Sequence, residues 1–369
     1  MNRIPLLVPR MPLADQLLPY IRQIDQNQWY TNFGPLNQEL ERRIVHDSGT
    51  GLSSEHVTTV SNCTIGLELA LQAWGLSAGA RVLIPAITFV ATATAVTRVG
   101  MVPVIADVDP ESWVLTPAIA REAAQQSQFD AVMPVSTFGF AHDTTAWDEL
   151  STELNVPVII DAAGAYGNQL SGKRIDVVYS FHATKSFGAA EGGAMLSPSP
   201  ERIKTVRRLA NFGIDTSTGL LAEHGTNGKM SEYHCAIGLA SFDAWEDTKA
   251  ERRVLMGRYM KALRQHCPQL SFQQKDPDGV YPLMSVAIPA DSDIQQVRDQ
   301  LSAHGIETRR WYSPSLSTHP ALADMPRAGD LAAAEALGQR ILGLPFFLSM
   351  SNEQISHICG TLAAVLSRH

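Results

Sequence analysis

The chain has 369 residues, 45% of them apolar and 18% charged, with a formal net charge of −8. This is the composition of a globular protein large enough for two domains, and the acidic balance argues against nucleic acid or an anionic membrane surface as a partner. Four cysteines, Cys63, Cys235, Cys267 and Cys359, stand apart with no CxxC pair, which points away from a zinc or redox site and toward a reducing compartment.

Near the N-terminus only Leu6-Leu7-Val8 precede Pro9 and Arg10, too short a run for a signal peptide. The longest apolar tract, residues 86–106, is broken by Arg98, Gly100 and Pro103, so no membrane span is expected and a cytoplasmic location is. In chain order, the pattern predicts helices over 13–28 and 36–47, joined by a turn at Thr31-Asn32-Phe33-Gly34-Pro35. A strand at 56–60 leads into a helix over 64–74. A strand at 82–84 precedes a helix over 88–99. Short buried strands follow at 102–106, 131–134 and 156–160, with a helix over 143–154 between the last two. The run at 156–160 is almost wholly apolar, as in a parallel strand covered on both faces. Strands at 177–181 and 193–196 read as neighbours across a turn, and a long helical stretch spans 230–266. The remainder predicts a strand at 281–288, a helix at 293–305 and a closing helix at 351–366. This alternation predicts an α/β fold: a mostly parallel mixed sheet flanked by helices in a large domain, residues 1–245, and a smaller C-terminal α+β domain, residues 246–369. In such sheets the site lies beyond the carboxyl ends of the strands, where Asp161 and the segment from Ser180 to Lys185 fall.

Lys185 sits in Ser-Phe-His-Ala-Thr-Lys-Ser-Phe-Gly-Ala-Ala-Glu-Gly-Gly, residues 180–193, among Phe181, Phe187, Ala183, Gly188 and Ala189. Apolar surroundings strip hydration from an amine and free its neutral form as a nucleophile, the requirement for a Schiff-base lysine. Pyridoxal phosphate (PLP) asks for such an amine, a carboxylate on its ring nitrogen, a phosphate cradle and a face to stack on its ring. Asp161, closing Val-Ile-Ile-Asp, is the candidate carboxylate. Ser61-Asn62-Cys63-Thr64, at the start of a helix, is the candidate cradle, where free N–H groups and the helix dipole favour a dianion; Ser180 can add a hydroxyl. Phe89 can stack on the ring, and His182 can tune the lysine or bond the cofactor. Each residue alone also has a plainer reading: a strand-edge lysine with its head in water, an N-cap, a core aromatic, a structural histidine.

Together these residues resemble the DegT/StrS family of PLP-dependent nucleotide-sugar aminotransferases, of fold type I. The resemblance runs through about residues 29–245. Trp29-Tyr30-Thr31-Asn32-Phe33-Gly34-Pro35 is similar to the family's N-terminal signature, Ser61-Asn62-Cys63-Thr64 with Leu67 to its phosphate turn, and Ile84-Pro85-Ala86-Ile87-Thr88-Phe89-Val90-Ala91-Thr92-Ala93 to its next block. Asn227-Gly228-Lys229-Met230-Ser231-Glu232 resembles a further block, by which Asn227 would reach the phosphate of a neighbouring subunit's cofactor, implying a homodimer with shared sites. The chain departs from the family in having Gly164 where many members carry a glutamine that contacts the cofactor's phenolic oxygen, and Lys229 in place of a frequent arginine; its C-terminal part matches weakly.

The resemblance implies transamination. Glutamate would displace Lys185 from the cofactor, leave its amino group there as pyridoxamine phosphate and depart as 2-oxoglutarate, and a nucleotide-linked keto-sugar would take the group up. A dehydrating branch of the family has histidine in place of the lysine, so Lys185 favours transfer. The Ala-Glu-Gly-Gly ending resembles members that aminate C4, which implies a dTDP-4-keto-6-deoxyhexose as acceptor and a 4-amino-4,6-dideoxy sugar for surface polysaccharide (O-antigen). The rivals are C3 amination or dehydration on the same fold, a PLP-binding sensor without turnover, and a nucleotide-binding α/β protein, for which no GxGxxG or Walker lysine is present.

Overall fold

The computed structural model describes residues 3–367. Helices α1 (Ala14–Asn27) and α2 (Pro35–Ser48) come first. Pro35 occupies the first position of α2, where its missing N–H costs nothing. The wound part then runs β1 (Val57–Val60), α3 (Cys63–Ala73), β2 (Arg81–Pro85), α4 (Val90–Arg98), β3 (Val102–Ala106), α5 (Pro117–Gln126), β4 (Ala131–Val132), α6 (Thr144–Leu154), β5 (Ile159–Asp161), β6 (Asp176–Ser180) and β7 (Gly193–Leu196). Helices α7 (Pro200–Ala210), α8 (Glu232–Asp243) and α9 (Trp245–His266) follow. The rest holds β8 (Met284–Ala287), α10 (Ile294–Ala303), β9 (Arg327–Ala328), α11 (Ala332–Gly338), β10 (Ile341–Leu344) and α12 (Asn352–Leu366).

Two four-stranded ladders, β1-β7-β6-β5 and β4-β2-β3-β9, make up the main sheet. Parallel bridges from Val132 to Val158 and from Val135 to Asp161 join them edge to edge. Strand β7 is antiparallel to both β1 and β6, while β5–β6, β4–β2, β2–β3 and β3–β9 are parallel, so the sheet is mixed and mostly parallel, as expected. Neighbouring residues of a strand point to opposite faces. Val177 and Tyr179 join one core with Leu40, Trp147 and Ile160. Val178 joins the other with Leu67, Ile84 and Ile159. Both faces are therefore covered by helices, which explains the unbroken apolar strands. A third core, built on Tyr259, Leu263, Val286, Leu301 and Leu362, surrounds the separate β8–β10 ladder.

The structure departs from the sequence pattern in several places. Helices α5 and α7 are additional. The stretch over 230–266 is two helices that meet at Ala244. Strand β9 returns from the C-terminal part of the chain to the edge of the main sheet beside β3. Among the described residues no helix is long and apolar enough to cross a membrane, and no group of three or more His, Cys, Asp or Glu is placed to hold a metal ion.

Candidate active site

Because β7 is antiparallel to both its neighbours, β1 runs parallel to β6 and β5, and their carboxyl ends share one edge. Gly193 is the register partner of both Val60 and Ser180, so the turn after β1 and the end of β6 meet over the start of β7. That approach needs glycine: a Cβ on Gly193 would lie 2.5 Å from the Tyr179 carbonyl and 3.1 Å from the Cys63 nitrogen. Asn62 caps α3 by accepting the Ile65 N–H at 2.9 Å, and the Ser61 N–H goes to the Gly228 carbonyl at 2.7 Å. The N–H groups of Cys63 and Thr64, in the first turn of α3, engage no acceptor among the described residues and are available to an anion. Cys63 is buried and Thr64 half-buried.

Asp161 ends β5 with 4% exposure. Its Oδ2 accepts the Thr92 hydroxyl at 2.7 Å, and its Oδ1 accepts the Ala163 N–H at 3.1 Å and, weakly, the Cys63 thiol at 3.9 Å. Burial pushes its carboxyl above the ordinary range, and these donors and the Lys185 charge pull it back. Asp176, at the start of the adjacent strand, is held differently. Asp176 is equally buried, but the Arg202 guanidinium pairs with it at 2.9 Å. Of the other buried carboxylates, Glu41 pairs with Arg207, Glu68 with Arg98, and Glu232 accepts the N–H groups of Leu36 and Asn37 at the start of α2. Among the described residues, Asp161 alone of these carboxylates has neither a cation within 4.0 Å nor a helix N-terminus capped by its own oxygens. An anion buried this way suits a cationic group from outside the chain.

Lys185 lies in the loop between β6 and β7, partly buried. Burial lowers its ammonium below the ordinary value, opposed by the nearby Cys63 and Asp161. The acid and the thiol that donates to it therefore both face the amine. The loop is tied by Lys185 N–H to the His182 carbonyl at 2.9 Å, by the Ser241 hydroxyl to the Gly188 carbonyl at 2.6 Å, and by Arg252 to the Lys185 carbonyl at 3.5 Å. Ser180 is buried, and its hydroxyl accepts the His182 N–H at 3.3 Å. His182 is an exposed residue, not a buried structural one. The Thr184 N–H donates to its Nδ1 at 3.3 Å, so the neutral ring carries its proton on Nε2, which faces Glu191 at 3.7 Å.

Phe89 is 54% exposed at the N-cap of α4 rather than in the core. Its ring lies 6.2 Å from that of Tyr312, which stacks at 5.0 Å on Phe138, so aromatic rings from three chain segments gather here, with Tyr312 near enough to Asp161 to feel its charge. The structure thus brings Cys63, Asp161 and Lys185 together, with Thr64, Ser180 and Phe89 on flanking elements. Asn227 is exposed beside Gly228, whose carbonyl holds the Ser61 turn. Sequence reasoning missed Thr92 and Arg252. It had the spacing of Thr88 and Thr92, one helical turn apart in the block it singled out.

The sequence profile of the DegT/DnrJ/EryC1/StrS aminotransferase family matches residues 13–363. The chain belongs to that family. A dTDP-4-amino-4,6-dideoxy-D-glucose transaminase of Shigella dysenteriae is 30% identical over 366 residues, 97% of each chain. The crystal structure of a putative PLP-dependent aminotransferase from Bacillus cereus superposes with a TM-score of 0.89 at 30% identity, covering 98% of this chain and 100% of the other. DesI, solved in the presence of its TDP-sugar product, gives a TM-score of 0.88 at 29% identity, covering 100% of this chain and 94% of the other. The fold is that of these PLP aminotransferases, and PLP is the cofactor of this DegT-family enzyme.

The residues present fit PLP. The buried acid without a counter-ion suits a protonated ring nitrogen, the free N–H groups of α3 suit a phosphate, and the desolvated amine of Lys185 suits an aldehyde. When bound, PLP supplies an aldehyde carbon conjugated to an electron-accepting ring.

Proposed function

We propose that this aminotransferase moves an amino group from L-glutamate to a nucleotide-linked keto-sugar, and specifically to C4 of a dTDP-4-keto-6-deoxyhexose, giving the 4-amino-4,6-dideoxy sugar for surface polysaccharide (O-antigen). The observation that carries the chemistry is the pairing of a buried, counter-ion-free Asp161 with the desolvated Lys185 beside one phosphate turn. The likeness to the Shigella transaminase supports the sugar, and the Ala-Glu-Gly-Gly ending supports C4.

In this reading Asp161 keeps the ring nitrogen cationic. The Lys185 Nζ, held neutral more readily by burial, would take the proton from the donor's Cα and deliver it to the cofactor's C4′ within the first half of the cycle, and would carry one from C4′ to the acceptor carbon in the second. Cys63, Thr64 and Ser180 bind the phosphate, Phe89 covers one ring face, and His182 serves the phenolic oxygen side that Gly164 leaves without a glutamine. Asn227 reaches the phosphate of the second subunit of a cytoplasmic homodimer, whose large domain ends near residue 245.

Glutamate added to the PLP-loaded protein tests the first half: the yellow band bleaches and returns with 2-oxoglutarate. The amine form is then offered dTDP-4-keto-6-deoxyglucose and a 3-keto isomer. Amination of the 4-keto sugar supports the reading. Turnover of the 3-keto sugar alone overturns the C4 assignment, and a band that no amine bleaches overturns transamination.

A further inference from the structure

Asp161 meets its future partner with one lone-pair direction already chosen, and the choice is made by α4. Thr92, in the third position of that helix, donates its only hydroxyl hydrogen to Asp161 Oδ2 at 2.7 Å. Its oxygen lies 2.9 Å from the Thr88 hydroxyl. Thr92 has no second hydrogen to give, so Thr88 is the donor in that contact. The three groups form a directed chain, Thr88 to Thr92 to Asp161, with exposures of 3%, 0% and 4%. A hydrogen bond to a charged acceptor at such low exposure is among the stronger neutral-donor contacts available. The first turn of α4 adds its own positive end to the same side.

We propose that Thr92 is a positioning residue for the cofactor's ring: backed by Thr88, it holds Asp161 as an oriented carboxylate before any cation arrives. It rests on Asp161 being the acid that receives the ring nitrogen. In place of an internal arginine, as Asp176 has in Arg202, the chain uses two hydroxyls and a backbone N–H. These leave the anion stabilised enough to exist and unpaired enough to bind. The other groups that face Asp161 are Cys63 from α3, Lys185 from the β6–β7 loop and Tyr312. None of them donates to Oδ2.

The test uses apoenzyme and PLP, with equilibrium affinity measured across pH for wild type, Thr92→Val, Thr92→Ser and Asp161→Asn. Thr92→Val keeps shape and removes the donor. We expect affinity to fall on the order of tenfold, and the acid limb of the affinity–pH curve to move to higher pH, since an undonated carboxylate protonates sooner. Thr92→Ser restores both. A Thr92→Val protein with wild-type affinity and an unmoved acid limb overturns the proposal, even if its thermal stability has dropped. An Asp161→Asn protein that binds PLP like wild type overturns instead the reading on which it rests.

Discussion

The guanidinium of Arg252 bridges the backbone carbonyl of Lys185, at 3.5 Å, and that of Tyr281, at 3.3 Å. It is a buried residue of α9 with no carboxylate within 4.0 Å among the described residues, and its Nε has no partner. Burial and the neighbouring Arg10 lower it to about 10. A buried guanidinium so poorly compensated is weak evidence for a stabilising role. Its position ties the lysine loop to the segment leading into β8.

Replacing this clamp should therefore separate folding from function. Arg252→Met is expected to fold, with thermal stability close to wild type, and to slow the appearance of the yellow band on mixing apoenzyme with PLP several-fold. Arg252→Lys, which can hold one carbonyl at a time, should fall between. Stopped-flow absorbance measures the rate, and a Met variant with wild-type kinetics would assign Arg252 to packing.

Lys185→Ala removes the amine while keeping the acid and the phosphate turn. PLP should still bind reversibly, but borohydride should no longer fix it to the chain, as mass spectrometry reports. Turnover should fall at least about a thousandfold, in the range seen for a lost acid–base group.

Two glycines give opposite expectations. A Cβ on Gly164 would sit 3.4 Å from the Gly139 nitrogen and 3.7 Å from the Ser136 carbonyl, ordinary contacts. Gly164→Ala should therefore leave the melting temperature nearly unchanged. Gly193→Ala drives a carbon against Tyr179 O and should destabilise by about 1–3 kcal/mol, the cost of overpacking. Thermal unfolding of the two apoenzymes checks both.

Lys275 supplies a pH signature. Its ammonium end donates to the Phe138 carbonyl at 3.0 Å and lies 4.6 Å from the Tyr281 ring, and burial lowers it from 10.5 to about 7. Between those values the unfolded chain holds one more proton than the folded one, so this group makes stability rise with pH from about 7 towards 10. The difference in melting temperature between wild type and Lys275→Met should grow in favour of wild type over that range. A difference independent of pH would mean that Lys275 titrates normally.

The parts of the fold and site legible in the sequence were those whose chemistry is local. Strand runs, the capped turn at Asn62 and the crowded lysine segment each carry their signal within a few residues. Thr92 and Arg252 could not be read that way, because they lie 69 and 67 residues from Asp161 and Lys185 and meet them only through the sheet order. Helix α5 escaped because its buried stripe is only Ala120 and Ala123. Helix α7 did announce itself, with Ser199 as cap and Pro200 at its first position ahead of Ile203, Val206 and Leu209. The two-residue β9 has no pattern at all; it is a strand only because β3 offers an edge.

Glu232 opens α8 yet caps α2, and its own N–H returns to the Tyr30 carbonyl at 3.0 Å. The segment carrying Gly34 and the segment carrying Gly228 are thus fastened to each other, and the second is fastened to the Ser61 turn. For anyone building chimaeras from relatives of this protein, the two stretches form one cassette. Swapping residues 29–37 without 227–232 would leave a buried glutamate facing foreign backbone, and the damage would surface at the phosphate turn, in a part of the sequence that had not been altered.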